Sequence, residues 1–542
     1  MRNSWFAQPA SVFSKARTIQ TLRKLEQAGV ASEVAGPEVA GITNTLQQLD
    51  QAALATDNTI LAQTTQDLAQ LSQEATAVDF GTPADTTQTL SIVDQASEAV
   101  DLGQGADATQ SLAIVDQAAT AVTLATADTT QDLQQLDQAA LATPPVEFDL
   151  QVANVGSATG GTDDFTAADF GTPKAVFNAM FYAATLNTIQ VDGAGSFGAS
   201  DATAQGTASF YSEDGLGTTN CRQAKLDDNS IVVIDGVTTQ TVAEAILSNI
   251  TDGCRYTWSK DLNPTGDLLM ANLMFGGSGL LAGVGNIAAS IPDTPVTQIT
   301  SLSFQPDVLI FFSTSIDAAE TTDQHSQVHL GFCDASLNQG CVYYREFDTQ
   351  STTFVDSAIF NNRISFMRIS GAPSFNVELE VTQMLSNGFE VIQRVASETW
   401  TPDITFIALK LFDSADAFVG FHDMPTATGN NTITGIPFEP RLVLQLDSGL
   451  TVANAQTAAD SLIGLSMLMS SIQVSGGTAA DHSVGTSDTK NIMDSKAIAY
   501  PSFVGNTTQV EGSFVGFTSD GYTINYTKAP GSAFKGLFLA FK

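Results

Sequence analysis

Residues 304–312 read FQPDVLIFF: an aromatic residue, a proline two positions on, then an unbroken apolar run. A like arrangement occurs twice more, as FGTPKAVFNAMF (170–181), with the proline three positions on, and FEPRLVLQL (438–446), each with one polar residue within its run. Pro173, Pro306 and Pro440 are 133 and 134 residues apart. Proline cannot donate to a sheet ladder and is tolerated at the start of a strand, so each stretch predicts a buried strand entered through a fixed corner.

Further landmarks keep step with these prolines. Gly198, Gly331 and Gly464 follow them by 25, 25 and 24 residues. The segments TDGCRYTW (251–258), SNGFEVIQ (386–393) and SDGYTINY (519–526) come next, with Gly253, Gly388 and Gly521 a further 55, 57 and 57 residues on. DG and NG before alternating apolar residues are hairpin signals, because glycine reaches positive φ without steric cost. Each unit closes on one more strand: LLMANLMF (268–275), FIALKLF (406–412) and GLFLAFK (536–542). Four landmarks in one order predict three homologous antiparallel domains, each a two-sheet sandwich or jelly-roll, over 147–276, 277–413 and 414–542. The fold class expected is mainly β, with an N-terminal α-helical repeat segment.

That segment has its own period. Asn44, Gln66, Gln88, Gln110 and Gln131 mark five copies spaced by 22, 22, 22 and 21 residues, and Leu46–Ala55 returns almost verbatim within DTTQDLQQLDQAALA (128–142). Apolar residues recur at 3-4-3 spacing, which predicts one stripe of a short helix in each copy. The stripe comprises Leu46, Leu49, Leu68, Leu71, Leu90, Val93, Leu112, Val115, Leu133 and Leu136. Asp and Thr precede each stripe as N-caps, and FGTP (80–83) and GQG (103–105) break the helices. Residues 41–146 therefore read as five helix-loop repeats. Helices of about 13 residues are marginal alone, so this shaft must dock on sister chains or on a larger assembly.

The chain carries 21 Lys+Arg against 58 Asp+Glu, a net charge of −37. Nucleic-acid binding needs clustered cations, and this surface repels phosphate. The cations are unevenly placed: Arg2, Lys15, Arg17, Arg23 and Lys24 precede a stretch without Lys or Arg that lasts until Lys174. Within residues 1–40, Trp5, Phe6, Phe13, Lys15 and Arg17 read as a basic-aromatic docking peptide. No apolar run reaches 18 residues, and the head has no signal-peptide core, so neither membrane insertion nor ordinary secretion is expected. Cys221, Cys254, Cys333 and Cys341 lack CxxC spacing. They read either as buried thiols or as two disulfides, Cys221–Cys254 and Cys333–Cys341.

No residue pattern specifies an enzyme. His325 and His329 lie at i, i+4 without the Glu of a zinc motif, and surface or turn positions are expected for the histidines. The loops GGTDDFTAADF (160–170) and DSADAF (413–418) offer carboxylates that could hold structural Ca²⁺ but lack the order of a calcium loop. No cofactor is otherwise implied. If the domains bind glycans, Tyr343, Tyr344, Trp400, Tyr500, Tyr522 and Tyr526 are the natural aromatic platforms.

In layout the chain resembles the fibre, spike and head-decoration proteins of tailed phages, with a short anchor, a repetitive shaft and tandem β-modules. The landmarks FQPDVLIF, HLGFCDAS, SNGFEVIQ and FIALKLF are similar to repeats of phage tail and structural proteins. The resemblance implies a homotrimer on the virion surface, assembled in the host cytoplasm. It also implies that the N-terminus joins capsid or tail proteins, while the β-domains offer host attachment or protection of the particle. No functional residues carry over. Two other readings remain. One is a bacterial surface adhesin. The other is a polysaccharide-degrading tailspike, against which stands the lack of a visible coil-length repeat of strands.

Overall fold

In the computed structural model, the described residues are eleven strands between Thr18 and Asp137, and residues 146–542 apart from 157, 202, 236–240, 261–267, 288–295, 317–320, 370–374, 396–402 and 504. The chain divides into two compact units, Met1–Thr143 and Pro144–Lys542.

The first unit corrects the helical expectation, since its described residues are β-strands. Thr18–Glu26, Ile42–Asp50, Ala62–Ser72, Ala84–Asp94, Thr109–Asp116 and Thr130–Asp137 form a six-stranded parallel sheet. The five intervening strands, Val30–Ala35, Leu54–Thr59, Thr76–Asp79, Glu98–Asp101 and Thr120–Thr123, form a second parallel sheet. Among the described residues, each repeat except the last gives one strand to each sheet, and each pairs with its successor, as the coils of a β-solenoid do. The register is the sequence repeat itself. Leu46 pairs with Leu68, Leu68 with Leu90, Leu90 with Leu112, and Leu112 with Leu133. Leu49, Leu71, Val93, Val115 and Leu136 form the companion column. The physical reason is hydrogen bonding between copies. A 13-residue segment rich in Thr and Asp is a poor helix by itself, but identical neighbours can satisfy its backbone along a ladder. The parallel coils also overturn the view that no coil-length repeat of strands exists. Thr18–Glu26, pairing Leu22 with Leu46, is a sixth copy, hidden in the sequence by Arg23 and Lys24.

The second unit holds three modules on one plan. Each has a seven-stranded antiparallel sheet backed by a four-stranded one. The strand Val308–Ser313 shows why FQPDVLIFF is continuously apolar. Val308, Ile310 and Phe312 face a core common to all three modules, while Leu309 and Phe311 face the module's own four-stranded sheet. Ala175–Met180 and Leu442–Ser448 alternate likewise between the common core and their own sandwich cores. Phe177, Phe197, Phe210, Phe312, Leu330, Tyr344, Leu444, Leu465 and Leu539 all meet in the common core. A sheet buried on both faces requires this pattern.

The modules also exchange strands around a ring. Thr321–Gln324 of the second module pairs with Cys221–Leu226 of the first. Ala455–Ala458 of the third pairs with Val355–Phe360 of the second. Gln190–Val191 of the first closes the cycle against Thr489–Asp494 of the third. The three modules thus form a pseudo-trimer within one chain.

At one end of the ring, three equivalent loops lock in rotation. Thr219, Thr353 and Ser487, each 134 residues apart, occupy one position. Their hydroxyls donate to the carbonyls of Phe347 (2.6 Å), Asp481 (2.8 Å) and Glu213 (2.7 Å) in the next module. The same hydroxyls accept from the amides of Gln350, Val484 and Leu216. Backbone bonds complete each junction: Thr349 donates to the carbonyl of Thr219, Ser483 to that of Thr353 and Gly215 to that of Ser487. Gly215, Thr349 and Ser483 hold φ of 76°, 57° and 63°, so the turn keeps its shape whatever its residue.

Of the three hairpin glycines, Gly388 holds the expected positive φ (154°), whereas Gly253 and Gly521 do not. At Gly253 the positive φ belongs to the preceding Asp252 (58°). A Cβ on Gly253, Gly388 or Gly521 would lie 1.9, 1.7 or 1.9 Å from the carbonyl oxygen of Phe165, Ile299 or Ile433. These glycines let a neighbouring strand pass at contact distance. Gly521→Ala is therefore expected to reach or exceed the upper end of the ~1–3 kcal/mol that overpacking costs, measured by guanidinium denaturation. Thr353→Val, which removes the partner of a part-buried carbonyl and a part-buried amide, is expected to cost about 1–3 kcal/mol for the two bonds in the same assay.

Candidate functional site

The structure relocates most residues singled out from sequence. Tyr343, Tyr344, Tyr500, Tyr522 and Tyr526 are fully buried, so none is a glycan platform; Trp400 lies outside the described residues. Trp5, Phe6, Phe13, Lys15 and Arg17 also lie outside them. The cysteines are four free buried thiols, without disulfides. His329 is not a surface or turn residue: it is fully buried on Ser326–Asp334, and burial pushes it down to about 3. His325 does occupy a turn, at φ 71°, where its Nδ1 accepts the Asp348 amide.

The candidate calcium loops spend their carboxylates internally. Asp163 accepts the Trp258 indole N–H and the Gly156 amide, Asp164 pairs with Arg255, and Asp413 caps the short 3₁₀ turn Ser414–Asp416. No group of three or more His, Cys, Asp or Glu suited to a metal occurs among the described residues. No helix among them is long and apolar enough to cross a membrane.

The informative comparison lies between the three module junctions. One position, built from four side chains, is filled in three different ways. Between the first and second modules it holds Lys225, Asp227, Asn286 and Asp403. The Lys225 ammonium, fully buried, stands 3.2 Å from Asp403, contacts Asp227 and donates to Asn286 at 3.3 Å. Burial pushes the Asp403 carboxyl up to about 6 against the pull of Lys225. Between the third and first modules, the register places Met493, Ser495, Val152 and Leu269 at the same points. Met493 and Leu269 sit in the common core and Val152 packs against it, so this junction is an apolar plug.

Between the second and third modules the four residues are Ile359, Asn361, Phe421 and Lys535. None of the four pairs with another, and of them only Ile359 belongs to the common core. Together with His422, Asp423, Ala453 and Gly536 they line a cavity of about 340 Å³. Phe421 is 41% exposed although it packs on Gly340. Lys535 Nζ lies 2.7 Å and 2.9 Å from the Asp423 oxygens.

Behind the cavity runs a buried polar network. His422 Nε2 is 3.1 Å from Asp447 Oδ1, while Asp447 Oδ2 accepts from Tyr500 (2.6 Å) and Gln445 (2.7 Å). Tyr522 in turn donates to Gln445 at 2.8 Å. Gly536 is glycine because a Cβ would lie 2.2 Å from Asp447 and 2.3 Å from His422. This network holds the wall rigid.

Sequence reasoning missed both features. The recurrent Thr218-Thr219, Thr352-Thr353 and Thr486-Ser487 pairs were a readable signal for the ring. The cavity had none, because it depends on comparing positions that only the strand pairing aligns.

No protein-family model matches the sequence, and no curated protein matches it.

Two expectations follow from the junctions. Lys225→Ala strands a buried carboxylate and should cost about 3–5 kcal/mol. The double exchange Lys225→Met with Asp403→Leu, copying the apolar junction, should recover most of that loss in chemical denaturation. Glu346, buried beside Ser212 and Tyr344, is pushed up to about 8, first by desolvation. The folded protein keeps its proton between pH 4.5 and 8 while the unfolded chain loses it, so this group's contribution to stability falls as pH rises through that window. Glu346→Gln removes the fall, and the stability of the variant relative to the parent should climb from pH 5 to pH 8.

Proposed function

We propose that the chain is a structural protein of a tailed-phage particle, a fibre, spike or head-decoration protein. Its β-modules would present a surface for host attachment or for protection of the particle. The observation that carries this reading is the closed ring of three homologous modules. Phage fibres and spikes are usually trimeric, and here three-fold architecture is written once in a single chain. The stacked 22-residue repeats support it as an extendable, acidic segment whose length is set by copy number. The proposed partners are other virion proteins, reached through the N-terminal residues, and a host-surface glycan or protein. A charge of −37 favours neither nucleic acid nor an anionic membrane surface.

On this reading the β-body needs no sister chains, because its inner faces are already covered. Mass photometry is expected to give particles near 57 kDa. A species of three times that mass would show that the solenoid or its flanks trimerise as the phage resemblance implies. Mass spectrometry of purified virions tests the assignment itself, and absence from the particles would refute it.

A polysaccharide-degrading tailspike is the second reading, favoured by one observation: the parallel coils of the first unit, of the kind such enzymes carry. A clearing assay on capsular polysaccharide separates the two.

A further inference from the structure

We propose that the cavity between the second and third modules binds one pyranose residue of a neutral glycan. The proposal deepens the attachment reading above and rests on it for the source of the glycan.

The argument starts from broken symmetry. The equivalent positions at the other two junctions are closed, one by the Lys225–Asp403 ion pair and one by Met493, Val152 and Leu269. A junction whose only duty is to hold modules together has two working solutions in this same chain. The remaining junction uses neither and leaves about 340 Å³ open, within the range of small-molecule sites.

Its lining then selects the ligand. Phe421 presents a half-exposed aromatic face, a large apolar surface facing water at a position where the first junction has the polar Asn286. Asn361 offers an amide, with both donors and an acceptor. Asp423 and Lys535 neutralise each other while leaving carboxylate lone pairs and ammonium protons free. His422, nine-tenths buried in the wall, has no hydrogen-bond partner at Nδ1.

A site with no net charge disfavours phosphates and carboxylates, and the acidic surface around it disfavours them further. An apolar ligand would leave the amide and the ion pair unsatisfied. A pyranose meets both demands, since its C–H face stacks on an aromatic ring and its vicinal hydroxyls both donate and accept.

The test uses the full-length protein and ligand-observed saturation-transfer NMR, with the methyl glycosides of glucose, galactose, mannose and N-acetylglucosamine as probes. At least one should receive saturation, and its affinity should fall at least tenfold in Phe421→Ala and in Asn361→Ala. Phe412→Ala, which removes the other exposed phenylalanine among the described residues at 57%, should leave it unchanged. Asn361 is surface-exposed, so Asn361→Ala keeps the test valid should the Phe421 variant fold poorly; thermal melting reports this. The proposal is overturned if none of the four probes receives saturation, or if Asn361→Ala binds like the parent. A protein found in virions that binds no sugar would lose this inference alone. One that binds sugar but is absent from virions would lose the particle assignment and keep the site.

Discussion

The inner face of each seven-stranded sheet is apolar, and only the other two modules can cover it. Burying a single Phe or Leu contributes about 1.5–3 kcal/mol, and this core gathers dozens of such side chains from three modules. A backbone hydrogen bond nets about 0.5–1.5 kcal/mol, so the two- and four-residue exchanged strands add far less. Burial supplies the attraction, and the exchanged strands and loop ring supply the rotation and register. Each depends on the other, because non-directional packing cannot by itself choose one of many ways to stack three greasy faces.

The polar junction positions are consequences of that closure. Once the faces meet, whatever occupies the rim must be paired, apolar or open to water. Lys225 with Asp403, Met493 with Leu269, and the cavity at Phe421 are one instance of each. The buried Asp447 network belongs to the same logic. It lies inside the third sandwich, where Gln445 stands opposite Phe538 as Phe311 stands opposite Phe406 in the second module, and the Asp447 Oδ2 accepts from both Tyr500 and Gln445.

Much of the β-body was legible in the sequence. The prolines, the close-approach glycines and the final strands named the module repeat, because each answers to local backbone geometry. The ring was hidden for a definable reason. The run VLIFF says that a strand is buried on both sides, but not whose side chains do the burying. In the solenoid, a 3-4-3 spacing fitted one face of a helix, and the competing explanation needed no periodicity within a copy at all. Parallel coils pair residue with equivalent residue, so the spacing that matters is 22, the distance between copies. Exposure misled in the opposite direction. Tyrosines looked like platforms on chemical grounds, yet they are buried, with the hydroxyls of Tyr343, Tyr500 and Tyr522 bonded to Gln327, Asp447 and Gln445, whereas Phe421, without a polar handle, faces water.

The closed cycle also has a seam. The first and second modules, and the second and third, are joined by the chain as well as by packing, but the third meets the first without a peptide link. There the exchanged strand is Gln190–Val191, two residues against the four of Thr321–Gln324 and of Ala455–Ala458. The contact of Phe148 with Phe541, at 5.2 Å between ring centres, and the ion pair of Lys490 with Asp214 act as its clasp. Under mechanical load this is where the circle parts first, so the body behaves less like three beads on a string than like a band with a single buckle.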